Sequence, residues 1–230
     1  MKKLILDQRL SAIVDLVGKA DIVVDVGCDH GYVANYLVEE NLAKKVYATD
    51  ISEPSLRKNE RFAYNRGNDQ RVISLLGDGL VPLRDKDFDL VIIAGMGGDL
   101  IIKILQESFD LVKDKTLILQ PMTQRDQVRK YLVANGFKIT KEAIVRDKNK
   151  FYEIMKFIPG KDLGSSCDYY FAKNLLEEKD PVLKEYLEHL LEKTENYIKK
   201  ASQSQSIKAI KRRENLERQA KLYKELLDDY

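Results

Sequence analysis

Ile22-Val23-Val24-Asp25-Val26-Gly27-Cys28-Asp29-His30-Gly31-Tyr32 is the stretch that decides the fold. A run rich in β-branched residues has the composition of a strand covered on both faces. It ends in an acid and two glycines, and a helical pattern follows. A second run, Lys45-Val46-Tyr47-Ala48-Thr49-Asp50, closes on another acid twenty-five residues after Asp25. Strand, glycine-bearing turn, helix and strand-ending carboxylate make the first half of a doubly wound α/β sheet, with a nucleotide-type ligand at its carboxyl edge.

Working outward, Leu6, Leu10, Ile13, Val14 and Val17 recur at helical spacing ahead of the first strand, and Gly18 ends that helix. Strands are expected at 22–26, 45–49, 72–76, 88–94, 116–120, 137–145 and 152–158. The first five alternate with crossover segments, which implies parallel pairing. The last two are joined by Arg146-Asp147-Lys148-Asn149-Lys150, a polar turn that reads as a hairpin. Five parallel strands and a terminal hairpin fit the seven-stranded, mainly parallel sheet of class I (Rossmann-like) methyltransferases better than a six-stranded dinucleotide fold.

The character changes near Pro159-Gly160. Residues 1–160 read as the α/β domain, and residues 161–230 as a helical domain. Asp180-Pro181 is a cap followed by a first-turn proline. Leu183, Leu187, Leu190, Thr194, Tyr197 and Ala201 alternate by four and three, and Leu216, Ala220, Tyr223 and Leu227 repeat the spacing beyond a break at Ser202-Gln203-Ser204-Gln205-Ser206. The pattern predicts an antiparallel coiled-coil hairpin. The alternative is two helices lying on the main domain.

Composition excludes several function classes. The chain has 230 residues and a net charge of +2, so its total charge shows no general affinity for nucleic acid. Two distant cysteines, Cys28 and Cys167, give neither a disulfide framework nor a zinc site, and two histidines, His30 and His189, argue against a His-based metal centre. No metal is expected. The first residues, Met1-Lys2-Lys3-Leu4-Ile5-Leu6-Asp7, lack the pattern of a signal peptide, and no run approaches membrane-spanning length. The expectation is a cytoplasmic protein with no membrane partner.

Gly27 and Gly31 give Asp-x-Gly-x-x-x-Gly, where a dinucleotide fingerprint has Gly-x-Gly-x-x-Gly. Asp25 and Asp29 crowd this loop with negative charge. That suits a zwitterionic amino-acid ligand bearing a sulfonium better than a pyrophosphate. Alternatively, Asp29 caps the following helix and Gly27 serves turn geometry. Asp50, at the tip of the second strand, can accept both hydroxyls of a ribose. Asp78, between Gly77 and Gly79, can read the amino edge of an adenine or act as a turn residue. Three acids closing three successive strands point to S-adenosylmethionine.

The fourth strand runs into Ala94-Gly95-Met96-Gly97-Gly98-Asp99, without the Asn/Asp-Pro-Pro-aromatic signature of enzymes that methylate adenine N6. Its three glycines leave room for a planar group against the backbone, and Met96 is a methyl-facing residue or core filler. Gln120 ends the fifth strand, where it can bond a base edge or cap backbone. Tyr32 and Tyr64 can stack on a base or pack internally, and His30 can donate to the cofactor or simply start the helix.

With these motifs, the chain resembles the bacterial tRNA adenine-22 N1-methyltransferase family along nearly its whole length. The resemblance is carried by Gln8-Arg9-Leu10, the loop 25–32, Gly77-Asp78-Gly79, Ile93-Ala94-Gly95-Met96-Gly97-Gly98, Ile118-Leu119-Gln120-Pro121 and Phe151-Tyr152-Glu153. It implies S-adenosylmethionine as methyl donor, S-adenosylhomocysteine as product, and tRNA as substrate. The expected cofactor residues are Asp25, Gly27, Cys28, Asp29, His30, Gly31, Asp50, Ile51, Asp78, Gly79, Gly95 and Met96. Asp29, Met96 and Gln120 are expected at the transfer step, and Tyr32, Gly97 and Pro121 against the RNA.

Basic residues supply the phosphate contacts. Residues 196–224 hold nine Lys or Arg against two acids, whereas residues 177–195 hold seven acids against three lysines. Lys211, Arg212 and Arg213 in the tail, with Arg57, Lys58, Arg61 and Arg66 after Asp50, are the expected tRNA contacts. A solvated helix face is the alternative for each. A monomer or weak dimer is expected. Competing readings are a small-molecule or protein methyltransferase, with the tail as a lid or dimerisation element, and a non-catalytic S-adenosylmethionine sensor.

Overall fold

A computed structural model describes residues 3–161, 173–203 and 206–230. Asp7 opens α1 (Gln8–Val17) by accepting the Leu10 N–H at 2.7 Å, and Gly18, at φ 68°, closes it. Then come β1 (Ala20–Val26), α2 (Tyr32–Glu39), β2 (Ala43–Asp50), α3 (Glu53–Asn65), β3 (Val72–Leu76), β4 (Leu90–Gly97), α4 (Gly98–Glu107), the short α5 (Phe109–Val112), β5 (Thr116–Thr123), α6 (Arg125–Ala134), β6 (Phe137–Asp147) and β7 (Lys150–Pro159). The remaining helices are α7 (Lys173–Glu177), α8 (Pro181–Ala201) and α9 (Ile207–Asp228).

The strands form one seven-stranded sheet in the order β3-β2-β1-β4-β5-β7-β6. β1 to β5 are parallel, and β7 runs antiparallel to both β5 and β6. The seven-stranded, mainly parallel sheet read from the sequence is therefore present. The chain winds outward through β1, β2 and β3, then returns to lay β4 on the other side of β1. That reversal opens a crevice beyond the carboxyl ends of β1 and β4. Both faces are covered. Val23 joins Ile13, Leu37 and Val46 in one core, while its neighbour Val24 joins Val91, Leu105 and Leu117 in the other. Alternate residues of one strand feed opposite layers, which is why the strands read as continuous apolar runs.

β4 departs from expectation. It does not stop at Ala94 but continues to Gly97 through two register shifts against β5. Gly95 permits this, because its φ of 78° lies in the left-handed region.

The β6–β7 hairpin is fixed to α6 by a buried charge cluster. Arg129 is 1% exposed and donates from Nε and Nη2 to Glu142 Oε1 (3.0 and 2.7 Å) and from Nη2 to Glu153 Oε2 (2.8 Å). Arg125 lies 3.1 Å from Glu153 Oε1. Burial opposes the Arg129 charge, but the fields of Glu153 and Glu142 outweigh it and hold the guanidinium protonated above its ordinary range.

The chain divides into two compact units, Met1–Tyr170 and Phe171–Tyr230. In the second, Asp180 accepts the N–H groups of Val182 and Leu183 at 2.8 and 2.9 Å and caps α8, with Pro181 in its first turn. α8 and α9 form a helical hairpin, crossed by the Lys224–Glu195 pair at 2.9 Å. α8 ends at Ala201 and α9 is capped by Ser206, so the break falls where the serine-glutamine run predicts it. One seam position differs. Tyr197 is 38% exposed, and Tyr186 is buried with Leu183, Leu187 and Thr194 instead. The four-three spacing drifts around the helix within two turns, and Ile198 replaces Tyr197 as the half-buried residue. Cys167 lies outside the described residues.

Arg129→Ala strips the shared cation from two buried carboxylates. Denaturant unfolding should show a loss of about 3–5 kcal/mol.

Candidate active site

Three loops meet at the carboxyl edge of β1, β2 and β3. Gly27, at φ 73°, turns the chain out of β1 so that the Gly27 and Cys28 N–H groups both donate to Thr49 O, at 2.8 and 3.3 Å. Thr49 Oγ1 donates to Gly79 O at 2.9 Å, and Gly77 N–H donates to Asp50 O at 3.0 Å. β2 thus ties the first and third loops together. Thr49 is a residue of the candidate site that the sequence reading missed; its only signal is a hydroxyl beside the strand-ending Asp50.

The acids differ in environment. Asp25 is 6% exposed, and its carboxyl is pushed up to about 7, first by burial and then by Asp50, with Arg9 pulling the other way. Asp50 is half-buried and accepts the Ser52 N–H through Oδ1 at 2.8 Å, leaving Oδ2 for a ligand. Asp78 is exposed between Gly77 and the buried Gly79. Ile51, beside Asp50, is exposed. Cys28 is buried, and burial with the Asp25 and Asp50 charges raises its thiol far above the ordinary range, so it stays a neutral thiol.

Asp29 does not cap α2. Gly31 is the N-cap, in left-handed conformation, and no side chain caps the helix. Asp29 itself has φ 44°, and its Oδ2 lies 2.7 Å from His30 Nδ1. The His30 ring stacks on Tyr32 (5.6 Å between centroids, 10° between planes). Tyr32 meets Phe62 edge-on at 5.2 Å, and Arg66 lies 5.7 Å over Phe62. Arg66 also pairs with Glu39 through two nitrogens and holds that carboxyl below its ordinary range. Asn68 bonds both Glu39 and Asn35, and Asn35 donates to Gly31 O at 2.9 Å. Arg66 therefore supports the loop from below. Arg57 pairs with Glu53 at 2.6 Å, whereas Lys58 and Arg61 are exposed without an ion-pair partner among the described residues. Tyr64 is 73% exposed, away from the ring stack.

The room expected over the glycines of β4 is partly filled. A Cβ on Gly98 would stand 2.7 Å from Thr123 O, so that glycine serves the packing of α4 on β5. One on Gly97 would lie 3.4 Å from Thr123 Oγ1, and one on Gly95 3.4 Å from Arg9 Nη1. Met96 is half-buried and turns its methyl over Gly27, where a Cβ would come within 2.3 Å of it. Gln120 is 1% exposed. It accepts from Arg9 Nη1 at 3.1 Å and donates to Met122 Sδ at 3.5 Å, so it lies beneath the site and, among the described residues, caps no backbone. Pro121 is buried. Arg9, the cation of this floor, is a second residue that the sequence reading did not place in the site.

A cavity of about 570 Å³ opens at the opposite, amino-terminal edge of the sheet, and none of the expected site residues lines it. There Arg71 donates to the carbonyls of Ala43 and Lys44, and Lys156 to that of Val17, so these cations serve chain ends. Among the described residues, no cluster of His, Cys, Asp or Glu is placed to hold a metal ion, and no helix is long and apolar enough to cross a membrane.

Residues 6–155 match the family described as a methyltransferase domain. The chain belongs to that methyltransferase family. The family resemblance read from the sequence is borne out over the full length. The chain is 26% identical to the tRNA (adenine(22)-N(1))-methyltransferase of Bacillus subtilis (strain 168), covering 99% of both chains. The crystal structure of the B. subtilis M1A22 tRNA methyltransferase TrmK superposes with a TM-score of 0.88 at 25% identity, over 98% of this chain and 100% of that one. That of Streptococcus pneumoniae Sp1610 in complex with S-adenosyl-L-methionine gives 0.87 at 29% identity, over 97% and 100%.

As a member of this methyltransferase family, the protein should show the Asp25 titration in its stability. The folded-state value of about 7 lies above the ordinary 3.8 of the unfolded chain, so the native state holds the extra proton between those limits. The contribution of Asp25 to stability is greatest below pH 4 and is lost as pH rises through 7. Ligand-free Asp25→Asn should therefore gain stability relative to the wild type between pH 4 and 8, by at most about 4 kcal/mol. Parallel unfolding curves across that range would contradict the burial argument.

Proposed function

We propose that this protein transfers a methyl group from S-adenosylmethionine to N1 of adenine 22 in the D-loop region of tRNA. The observation that carries the reading is the end-to-end likeness to the B. subtilis enzyme, which takes in the helical unit as well as the methyltransferase domain. The strand-end acids fit the cofactor: Asp25 would meet its ammonium group, Asp50 the ribose hydroxyls and Asp78 the adenine amino edge. When bound, S-adenosylmethionine supplies an electrophilic sulfonium methyl and leaves as S-adenosylhomocysteine.

Adenine N1 carries a free lone pair at neutral pH, so the chain needs to supply placement more than a base. Proximity and orientation can contribute about 7–11 kcal/mol to such a transfer. Tyr32, 42% exposed and braced by His30 and Phe62, offers a stacking surface for an adenine drawn out of its helix. Asp29, exposed at the mouth of the loop, stabilises the positive charge that develops on the base. Met96 lines the methyl-facing wall. Gln120 acts from below, through Arg9.

The tRNA backbone is met by charge. On α9, Arg213, Lys221 and Lys224 are engaged by Glu217, Glu225 and Glu195. Lys208, Lys211, Arg212 and Arg218 are exposed without an ion-pair partner among the described residues. Their spacing of three, four and ten residues puts all four on one helical face. With Lys58 and Arg61, they are the phosphate contacts of this reading. In this reading the protein is a monomer or weak dimer that acts in the cytoplasm, where tRNA is found.

Labelled S-adenosylmethionine with unmodified tRNA transcripts tests the reading. N1-methyladenosine should form with adenine at position 22 and not with guanine there, and Asp29→Asn should lower turnover by more than it weakens cofactor binding. Methylation of a small molecule or protein alone would overturn it.

Reversing Lys208, Lys211, Arg212 and Arg218 to Glu should weaken tRNA binding and reduce the slope of log K against log salt by about 3. Cofactor affinity should stay unchanged.

A further inference from the structure

The carboxyl ends of β4 and β5 stay joined beyond their last residues, Gly97 and Thr123, which pair in the sheet. The turns that follow are in backbone contact, since a Cβ on Gly98 would lie 2.9 Å from Gln124 O. Gln124 has a left-handed backbone, at φ 52°, and its side chain crosses to the start of α4. There Oε1 accepts the Asp99 N–H at 3.1 Å, and Nε2 donates to Asp99 Oδ2 at 2.6 Å. Both ends of the amide are engaged, so its orientation has one solution. Capping of α4 accounts for the Oε1 contact, and the helix dipole for an acid in the first turn. Neither uses the groups left over. Among the described residues, Asp99 Oδ1 and the second N–H of Gln124 Nε2 have no partner, and both side chains are exposed. An acceptor and a donor thus stand one hydrogen bond apart. They lie just past the Met96 and Gly97 end of β4, next in the chain to the exposed apolar Leu100 and Met122.

We propose that Asp99 and Gln124 read the target base, Asp99 Oδ1 accepting an N6 hydrogen of adenine while Gln124 Nε2 donates to N7. This rests on the reading that adenine N1 takes the methyl group. N6 and N7 form the edge of adenine that excludes N1, so N1 is left clear for the sulfonium. Guanine carries an oxygen in place of the amine, and that oxygen would face a carboxylate. The pair is therefore specificity-determining: it accepts one purine and repels the other without covering the reacting atom.

The two contacts separate on the full chain with tRNA carrying adenine or 7-deazaadenine at position 22. The analogue replaces N7 by C–H and keeps N6 and N1. kcat/KM at saturating S-adenosylmethionine would be measured on both tRNAs for wild type, Gln124→Met and Asp99→Asn, with the Kd of S-adenosylmethionine alongside. The bases differ in intrinsic nucleophilicity, but that difference is common to all three proteins, so a change in the ratio reports the N7 contact. Gln124→Met should move the ratio about fivefold towards 7-deazaadenine. Asp99→Asn keeps its link to Gln124 by turning its oxygen there, and so meets N6 with an N–H. It should lower kcat/KM on both tRNAs by about tenfold or more and leave the Kd of S-adenosylmethionine unchanged. Should Gln124→Met fail to fold by circular dichroism, Asp99→Asn decides alone.

An unchanged ratio in Gln124→Met, or an Asp99→Asn protein as active as wild type, overturns the proposal and leaves the pair as a cap of α4. So does an Asp99→Asn loss matched by an equal weakening of S-adenosylmethionine binding. A wild type that methylates neither tRNA overturns the adenine-22 reading itself, which is a different failure and a distinguishable one.

Discussion

The site depends on the way Thr49 closes the end of β2. Its carbonyl accepts two successive N–H groups from the first loop, and its hydroxyl donates to the third loop. Thr49 is fully buried, so these bonds are made out of water, where an unmet partner costs about 1–3 kcal/mol. A slip of one residue in β2 would put Ala48 or Asp50 in its place and turn every side chain of the strand to the wrong layer. With the register held, Asp25, Asp50 and Asp78 reach the same edge, and one ligand can span them.

A second tier holds the loop that Thr49 starts. Asp29 lies in a left-handed conformation that non-glycine residues adopt at a cost, and such strain persists only where the surroundings impose it. The surroundings here are the chain from Arg66 through Glu39, Asn68 and Asn35 to Gly31 O, together with Asn59. A Cβ on Gly31 would come within 1.7 Å of Asn59 Oδ1, so no larger residue fits at that turn. Loop and support come from different elements, α2 and α3 with the turn that follows. A perturbation at Arg66 would therefore reach the loop 27–31 through Glu39, Asn68 and Asn35.

Much of this was legible in the sequence, because the governing signals are local. Strand-ending acids, the glycine at a turn with positive φ, the Asp180-Pro181 cap and the apolar runs each report on the residues beside them. What escaped was set by distant partners. Arg9 sits on the flank of the α1 apolar stripe, where periodicity reads it as solvent-facing. Its true neighbours are Gln120 and Tyr152, more than a hundred residues away. The sequence reads Gln120 as a strand end that bonds a base edge or caps backbone, but β5 runs on to Thr123 and Arg9 bonds Gln120, which makes it part of the floor. The extension of β4 turns on the dihedral of one glycine, and Gly98 reads as open space until Thr123 is found against it. Arg66 looked like a phosphate contact because its acid, Glu39, belongs to another helix.

The Arg129 cluster bears on folding as well as on the finished structure. Glu142 and Glu153 approach one guanidinium because the β6–β7 ladder pairs Glu142 with Met155 and Ile144 with Glu153, leaving both acids on the α6 side of the sheet. Shift either strand by one position and an acid turns away, leaving a buried cation short of a partner. Apolar side chains alone would tolerate several alignments of two such long strands. The buried charge tolerates one, and so acts as a proofreader of the hairpin that completes the sheet.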